Sequence, residues 1–271
     1  MNWIKELFGT EKPVIAMCHL RALPGDPLYK KESGMQLIIA QARRDIIALK
    51  EGGVDGILFS NEFSFPYMKK VETITVASIS RIIGELRNIL DIPFGVDCML
   101  DPIASIDIAT ATDAAFVRGI VSGVYTSDYG LWDTSPGDVA RHAANIGVQG
   151  KIKLLCCIMP GAAQALGHRN FADIINSTIF NIQPDGICLS GLTAGKALEI
   201  ELLESVCALN LDVPIFCDGG CNKKNVGQYL KLSDGIIVGT TFKTNGIFKN
   251  SVDPIRVKEF IETVRMERTN C

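Results

Sequence analysis

The chain has 271 residues, of which 47% are hydrophobic and 21% charged, and its net charge is −3. This composition supplies a buried core and excludes a disordered chain, while the weak acidity gives no basic face for nucleic acid. Mean hydropathy is +0.22, yet the longest apolar runs, at 56–60, 154–159 and 235–239, are far shorter than the roughly 20 residues that cross a bilayer. We therefore expect no membrane span.

The first twelve residues and the cysteines indicate the compartment. Residues 1–12 mix apolar with charged side chains and lack the apolar stretch and cleavage site of a signal peptide. We interpret them as a lead-in to a single domain that spans 1–271. Six of the nine cysteines lie in or beside apolar strand-like runs, as reduced cysteines in a protein core do, and no Cys-x-x-Cys pair occurs. We expect a cytoplasmic protein.

Along the chain, short apolar runs alternate with segments whose apolar residues have helical spacing. We predict strands at 13–20, 54–60, 94–99, 114–120, 151–158, 185–190, 214–218 and 234–240. We predict helices at 33–51, 73–90, 103–112, 138–146, 170–181, 197–209, 225–232 and 253–266. The strands are continuous runs of Val, Ile, Leu and Cys, which is typical of a parallel sheet buried on both faces. Eight such units in about 250 residues predict an α/β fold, a single (β/α)8 TIM barrel. A doubly wound open sheet is the alternative.

The connections between these elements carry two further signals. The tripeptide Asp-Gly-Ile opens three predicted strands, at 55–57, 185–187 and 234–236, and we attribute it to shared turn chemistry rather than to recent duplication. The connections at 21–32 and 122–137 are long for a compact domain, so we expect lids or interface elements there. The aromatic and acidic run at 125–133 suits closure over a sugar or packing against a partner subunit.

Four side chains near the carboxyl ends of the predicted strands are candidate catalytic residues, because the active site of a parallel barrel lies at those ends. His19 ends the first strand, and imidazole exchanges protons near neutral pH. Glu62 and Asp97 follow on the next two strands, where they would act as acid and base or hold a divalent metal such as Mg²⁺ or Zn²⁺. Arg118 interrupts a buried run and needs a partner, either Asp97 or an anionic ligand group. A purely structural role is the alternative for His19 and for Arg118.

Predicted strands seven and eight both end in glycine-bearing loops. Glycine lets backbone N–H groups approach an anion closely, and threonine adds a hydroxyl donor. TIM barrels frequently bind phosphate at these two loops, although a glycine also simply ends a strand. The predicted substrate- and phosphate-binding residues are Ser190, Gly191, Asp218, Gly219, Gly220, Gly239, Thr240 and Lys243. For Lys243 we favour a solvated or phosphate-side position over a Schiff-base role, which needs an apolar surrounding.

Six segments are distinctive enough to compare with a known family. They are VIAMCHLRALPGDP (14–27), GGVDGILFSNEFSFPY (52–67), PFGVDCMLDPIASI (93–106), FVRGIVSGVYTSDYGLWD (116–133), GICLSGLTAG (186–195) and DGIIVGTTFKTNGIFKNSVDPIRVKEF (234–260). With them the chain resembles the BtpA/SgcQ family over nearly its whole length, and is most similar to the SgcQ branch. The resemblance implies a barrel enzyme related in fold to phosphosugar- and phosphate-binding barrels. The SgcQ branch is associated with sugar-phosphotransferase gene clusters, and the resemblance implies no particular reaction.

The sequence departs from the common family pattern at three places. Family members often have Asn at the position of Asp97 and Val-Asn at the position of Arg118-Gly119. They often have a His-Val-Lys-His-like stretch where this chain reads CCIMPGA at 156–162. If that stretch is catalytic in other members, these differences imply another substrate or reaction for this branch.

The favoured function is an isomerase, epimerase or aldolase-type lyase of carbohydrate metabolism, acting on a phosphorylated sugar or related metabolite. The alternatives are a metal-dependent hydrolase or nucleotide-directed enzyme with its metal at Glu62 and Asp97, and a non-catalytic binding or assembly factor. Polar groups in the barrel mouth would favour an enzyme, whereas bulky apolar side chains there would favour a binding protein. The expected partner is a small phosphorylated metabolite. The oligomeric state, including a homo-oligomer, is left open by the sequence.

Overall fold

The architecture is a closed barrel of eight parallel strands with helices outside it. A computed structural model describes residues 3–161, 163–191 and 197–269. In chain order its strands are β1 (Val14–His19), β2 (Gly56–Ser60), β3 (Phe94–Asp97), β4 (Phe116–Gly119), β5 (Val124–Ser127), β6 (Gly130–Asp133), β7 (Lys153–Ile158), β8 (Ala163–Ala165), β9 (Gly186–Ser190), β10 (Ile215–Asp218) and β11 (Gly235–Val238). The barrel runs β1-β2-β3-β4-β7-β9-β10-β11 and closes where β11 pairs with β1. Closure confirms the predicted (β/α)8 TIM barrel over the open sheet.

The barrel strands are buried on both faces, which explains their continuous apolar runs. All six residues of β1 are buried. Because successive side chains point to opposite faces, Met17 packs inside the barrel with Phe116 and Phe216, and Cys18 packs outside it under the helices. The positive mean hydropathy of the chain therefore reflects a doubly buried sheet. No helix within the described ranges is long and apolar enough to cross a membrane.

The helices follow the predicted alternation, with bounds that differ by a few residues. They are α1 (Trp3–Phe8), α2 (Gly34–Gly52), α3 (Thr73–Leu86), α4 (Pro102–Thr112), α5 (Pro136–Asn145), α6 (Phe171–Ile182), α7 (Ile200–Cys207), α8 (Val226–Leu232) and α9 (Pro254–Thr269). The predicted end of α2 at a glycine pair is confirmed, because Gly53 has φ 86° and its N–H reaches the carbonyls of Leu49 and Lys50. The last predicted turn of α3 is instead a separate 3-10 helix, Arg87–Ile89.

The three Asp-Gly-Ile segments share one structural role at the amino ends of the strands. The carboxylates of Asp55, Asp185 and Asp234 accept the backbone N–H groups of Val14, Leu154 and Ile215, respectively, each on a neighbouring strand. The glycine that follows each aspartate leaves room for a bulky interior side chain. A Cβ on Gly235, for example, would lie 2.6 Å from the Phe216 ring. Turn and packing chemistry thus accounts for the repeated tripeptide.

The predicted connection at 122–137 is in fact a β-hairpin. Strands β5 and β6 pair antiparallel, and β8 adds a third strand on the other side of β5. Tyr125 and Trp132 lie opposite each other with ring centroids 5.7 Å apart, and both are buried. Their flanking residues are exposed, so the segment has the two-residue period of a half-buried strand. Strands β5 and β6 have only four residues each, which is too short for a two-residue period to be recognised in the sequence.

Helix α1 closes the amino end of the barrel. Ile4 and Phe8 belong to the interior cluster, and the Phe8 ring packs edge-on against Phe116 at 5.8 Å. The Trp3 ring lies 6.2 Å from Phe216, and its indole N–H donates to the carbonyl of Asp185. The predicted lead-in segment is therefore a plug of large side chains beneath the barrel.

Candidate functional site

The inward-facing side chains become polar at the carboxyl end of the barrel. Met17, Phe116 and Phe216 line the apolar interior. Two residues further along the same strands, on the same face, stand the predicted site residues His19, Arg118 and Asp218, and Asp97 ends β3 beside them. All four interact, directly or through their charges. The structure therefore brings the predicted ionisable residues together in one mouth.

The centre of this mouth is an ion triad of Arg118, Asp97 and Asp218. The Nε and Nη2 atoms of Arg118 donate to Oδ2 of Asp97 at 2.8 and 2.6 Å. Nη1 donates to Oδ1 and Oδ2 of Asp218 at 2.8 and 2.7 Å. Arg118 was predicted to need a partner, either Asp97 or an anionic ligand group, and the structure shows the contacts with Asp97. Asp218 is a second partner that we had expected to contact substrate instead.

Burial sets the protonation of the two aspartates in this triad. Removal from water raises the pKa of Asp97, and the Arg118 guanidinium opposes that rise. The pKa of Asp218 is raised by the same desolvation, against the pull of Arg118 and with a further push from Asp97. The guanidinium itself stays charged, since two carboxylates surround it. The triad thus contains two carboxyl groups and only one cationic group.

Glu62 stands beside the triad on the loop after β2. Its Oε2 accepts a hydrogen bond from the Tyr67 hydroxyl at 3.1 Å, and the same hydroxyl lies 2.9 Å from the Glu62 carbonyl. Desolvation raises the pKa of Glu62, opposed by Arg118 and reinforced by Asp97. A carboxyl group with a raised pKa holds or releases a proton nearer neutral pH, as an acid–base catalyst must. Tyr67, which we had not singled out, holds this carboxyl group in place.

His19 is buried as a neutral imidazole. Only 7% of its surface is exposed, and desolvation lowers its pKa well below the usual value, with help from the charges of Lys243 and Arg118. Its Nδ1 atom is the one buried side-chain nitrogen or oxygen without a hydrogen-bond partner among the described residues. The ring lies against Gly239, where a Cβ atom would approach Cε1 and Nε2 to 3.0 Å. The glycine after β11 therefore makes room for the histidine.

Aromatic rings stand over one side of the mouth. The Phe248 ring lies 5.1 Å from that of His19 and stacks on Phe63 at 5.0 Å. The ring of Phe65 lies 6.4 Å from those of both Phe63 and Phe248, and it contacts Tyr67 at 5.0 Å. Tyr67 in turn lies 5.5 Å from Tyr129 at the tip of the hairpin. The density of aromatics in SNEFSFPY signals part of this surface, but Phe248 lies far away in the sequence and was missed.

The two loops predicted to bind phosphate lie next to each other. Some of their hydrogen-bonding groups are already used within the protein and others are not. The N–H of Gly219 already donates to the Ile237 carbonyl. Gly220 has φ 66°, and its carbonyl accepts the side-chain amides of Asn222 and Asn225. Thr240 begins a 3-10 helix, Thr240–Phe242. Ser190 ends β9, opposite Asp218 in the register, and Gly191 follows it. Phosphate binding here stays a prediction, and residues 192–196 of the GICLSGLTAG segment lie outside the described residues.

A cavity of about 350 Å³ opens beside these loops. It is lined by Asn222, Lys223, Lys224, Thr241, Arg256, Glu259 and Phe260. Lys223 pairs with Glu259 at 2.9 Å. A larger cavity of about 470 Å³ lies to the side of the barrel, between the hairpin and the amino ends of α4 and α5, and none of the predicted site residues lines it. The chemistry therefore points to the mouth rather than to this lateral cavity.

Lys243 does not occupy the predicted solvated position. Its side chain is fully buried, and Nζ lies 3.3 Å from Oδ2 of Asp45 on helix α2. The other oxygen of Asp45 accepts the N–H of Val252. Beyond β11 the chain turns into the 3-10 helix and points this lysine outward, under the helices. The expectation of a solvated Lys243 was therefore wrong, and its ammonium group is paired with Asp45.

The metal hypothesis retains only two ligand candidates. Within the described ranges, no group of three or more His, Cys, Asp or Glu side chains is placed to hold a metal ion. Glu62 and Asp97 are neighbours, but Oδ2 of Asp97 is already taken twice by Arg118. Mg²⁺ or Zn²⁺ would need Asp97 Oδ1, Glu62 and water.

Comparison with known proteins agrees with this fold. The family model described as BtpA family matches residues 10–266. The chain is 48% identical over 264 residues to the "Putative sgc region protein SgcQ" of Escherichia coli K12, covering 97% of this chain and 98% of that protein. It is 30% identical over 262 residues to the "Photosystem I biogenesis protein BtpA" of Synechocystis, covering 96% and 90%.

Solved structures with the same fold are much more distant in sequence. A thiamine phosphate pyrophosphorylase from Pyrococcus furiosus superposes with a TM-score of 0.56 at 15% identity, over 95% of this chain and 96% of that one. A phosphoribosyl anthranilate isomerase from Thermococcus kodakaraensis gives 0.56 at 14%, over 94% and 99%. At these identities the likeness shows the fold alone.

Proposed function

The chain belongs to the BtpA family, and on that basis we propose that it is an enzyme acting on a phosphorylated sugar or related phosphorylated metabolite at the barrel mouth. The observation that carries the proposal is the group of ionisable side chains at the mouth, in which His19, Asp97 and Arg118 are buried and Glu62 and Asp218 are half-buried. Burying so many ionisable groups disfavours folding unless they are paired. Glu62 and His19 form no ion pair with any residue that the structure describes, and titratable groups with perturbed pKa values in a cleft are candidates for a functional site.

The chemistry supports proton transfer, as in an isomerase or epimerase. Glu62, with its raised pKa, would remove a proton from the substrate carbon through a carboxylate oxygen. His19, as a neutral imidazole, would move a proton to or from the neighbouring oxygen of the substrate. The ion triad would hold Glu62 and orient the substrate hydroxyls.

An aldolase-type lyase remains within this proposal, but a lysine Schiff base is poorly supported. Lys243 pairs with Asp45, and Lys153 pairs with Asp185 near the amino end of the barrel, away from the mouth. A lyase on this chain would therefore work through Glu62 and His19 as well. Identifying the product of turnover would distinguish an isomerase, an epimerase and a lyase.

The phosphate of the substrate would dock at the loops after β10 and β11. The amides of Gly220 and Gly239 and the hydroxyl of Thr240 are the proposed ligands, and Lys223 and Lys224 add positive charge nearby. The names of the two structural neighbours, a thiamine phosphate pyrophosphorylase and a phosphoribosyl anthranilate isomerase, each include a phosphate ester. They support a phosphorylated substrate on this fold.

We also propose that residues 1–271 act as one domain in the cytoplasm, where the free cysteines would stay reduced. The alternative function is an assembly factor, which the name of the Synechocystis relative suggests. The aromatic surface over the mouth would then be its contact site. A substrate-dependent turnover separates the two functions.

Thermal unfolding against a panel of sugar phosphates, with and without Mg²⁺, Mn²⁺ or Zn²⁺, tests the proposed function. A ligand that binds the folded state raises the unfolding temperature by mass action. Compounds that bind would then be assayed for turnover, which His19→Ala and Glu62→Gln should abolish while phosphate affinity remains. Arg81→Ala, on the exposed face of α3, is the control and should be fully active. If no phosphorylated compound shifts the transition, the proposal fails.

A further inference from the structure

We propose that Asp218 makes this site selective for charge: it accepts a sugar phosphate whose reacting end is uncharged and rejects the matching sugar acid phosphate. The inference rests on the proposed function, because it concerns the substrate of the same site. It narrows the substrate class from phosphorylated metabolites in general to phosphorylated aldoses, ketoses or polyols.

The first argument is the occupancy of Arg118. A substrate carboxylate in a protein is usually recognised by the paired N–H groups of an arginine. All three guanidinium nitrogens of Arg118 already donate to Asp97 or Asp218, through four hydrogen bonds in all. Asp218 accepts from Nη1 with both oxygens, which is the position that a substrate carboxylate would need. The protein's own carboxylate therefore fills the recognition site.

The second argument is the sign of the charge in the mouth. Asp97 and Asp218 pair with the one guanidinium of Arg118, Glu62 adds a third carboxyl group nearby, and the ammonium of Lys243 is already paired with Asp45. A substrate carboxylate would be brought close to these acidic groups in a partly desolvated site, where like charges repel strongly. An uncharged hydroxyl or carbonyl group meets no such repulsion.

The third argument is the hydrogen-bonding capacity that remains. Arg118 uses only Oδ2 of Asp97, so Oδ1 can accept from a hydroxyl. The Nδ1 atom of His19 is buried without a partner among the described residues, and a ligand hydroxyl would satisfy it as donor or acceptor. Sugar hydroxyl groups match both atoms, whereas an ionised carboxylate can only accept.

The experiment measures binding of matched pairs by calorimetry on the full chain. The pairs are glucose 6-phosphate with 6-phosphogluconate and ribose 5-phosphate with 5-phosphoribonate, which differ only at C1. In the pair that binds, the acid should bind at least about tenfold more weakly. Asp218→Asn frees an Arg118 donor and removes one negative charge, so it should narrow that ratio at least about tenfold. Glu85→Gln, an exposed change of the same charge, should leave the ratio as it is.

Equal or tighter binding of the acid to the wild-type chain overturns the inference while the proposed function stands. A folded Asp218→Asn variant with an unchanged ratio also overturns it. If that variant does not fold, the wild-type ratio decides. If neither member of either pair binds, and the sugar phosphate panel is silent as well, the proposed function fails and the inference fails with it.

Discussion

The Nη1 atom of Arg118 donates to both carboxylate oxygens of Asp218, at 2.8 and 2.7 Å, although 100 residues separate the two along the chain. β4 and β10 are not neighbours in the sheet, so this contact crosses the barrel. This contact and the contact between Arg118 and Asp97 together link β3, β4 and β10 at the mouth. The arginine therefore has a structural value that can be measured without knowing the substrate.

Replacing Arg118 with Met should destabilise the protein by about 3–5 kcal/mol, because two buried carboxylates lose their partner. Urea unfolding monitored by circular dichroism measures the change. Arg81→Met removes an arginine from an exposed pair with Glu85 and should cost less than about 1 kcal/mol. Equal losses in the two variants would show that the triad contributes nothing beyond a surface pair.

His19 should contribute a loss of stability on the acid side of neutrality, opposite in sign to the contribution of Glu62, Asp97 and Asp218, whose pKa values are raised. The pKa of His19 is ordinary in the unfolded chain, near 6.5, and well below that in the folded protein. As pH falls below about 6.5, the unfolded chain binds a proton that the folded protein does not, so folding loses free energy until the folded pKa is reached. His19→Gln should remove this contribution, so lowering the pH from 7 to 5 should reduce the unfolding free energy of the variant less than that of the wild type. A slope identical to that of the wild type contradicts this assignment.

A side chain at Gly239 should be disfavoured, because its Cβ would lie 3.0 Å from two ring atoms of His19, which would have to shift by a few tenths of an ångström. Gly239→Ala should cost about 1–3 kcal/mol through overpacking and should weaken any ligand that bonds His19. Gly119→Ala is the matched control at the end of β4, where the new Cβ would lie 3.8 Å from Pro102. It should change stability by less than about 1 kcal/mol. Thermal and urea unfolding of the pair gives the comparison, and a neutral Gly239→Ala would mean that the imidazole moves freely.

Lys243 should matter for folding rather than for binding an anion. Lys243→Met leaves Asp45 charged and buried, at an expected cost of about 3–5 kcal/mol. Adding Asp45→Asn removes the unpaired charge and keeps an acceptor for the Val252 N–H, so the double variant should recover part of the loss. Chemical unfolding of the two variants measures the recovery. A single variant that is as stable as wild type but no longer binds phosphate would restore the phosphate-side role.

The sequence was a good guide wherever a local pattern determines the structure. The doubly buried strands predict the barrel, and parallel neighbours place Asp97 beside Arg118. The partnership with Asp218 could not be predicted, because it depends on how wide the closed barrel is and on which side chains reach across it. Lys243 was misplaced for a related reason: the turn after β11 decides whether it faces the mouth or the helices. The aromatic surface brings Phe63 and Phe248 together from loops with no shared sequence period.

Helix α1 closes the amino end of the barrel, so only the carboxyl end is open. With Phe8 and Trp3 packed beneath the interior cluster, a ligand that binds at the mouth must enter and leave at the carboxyl end of the barrel. Two ligands cannot pass each other in such a well, so a reaction product blocks the next substrate until it departs. If the protein has the proposed function, a product that stays bound at the phosphate loops would therefore inhibit in direct competition with substrate.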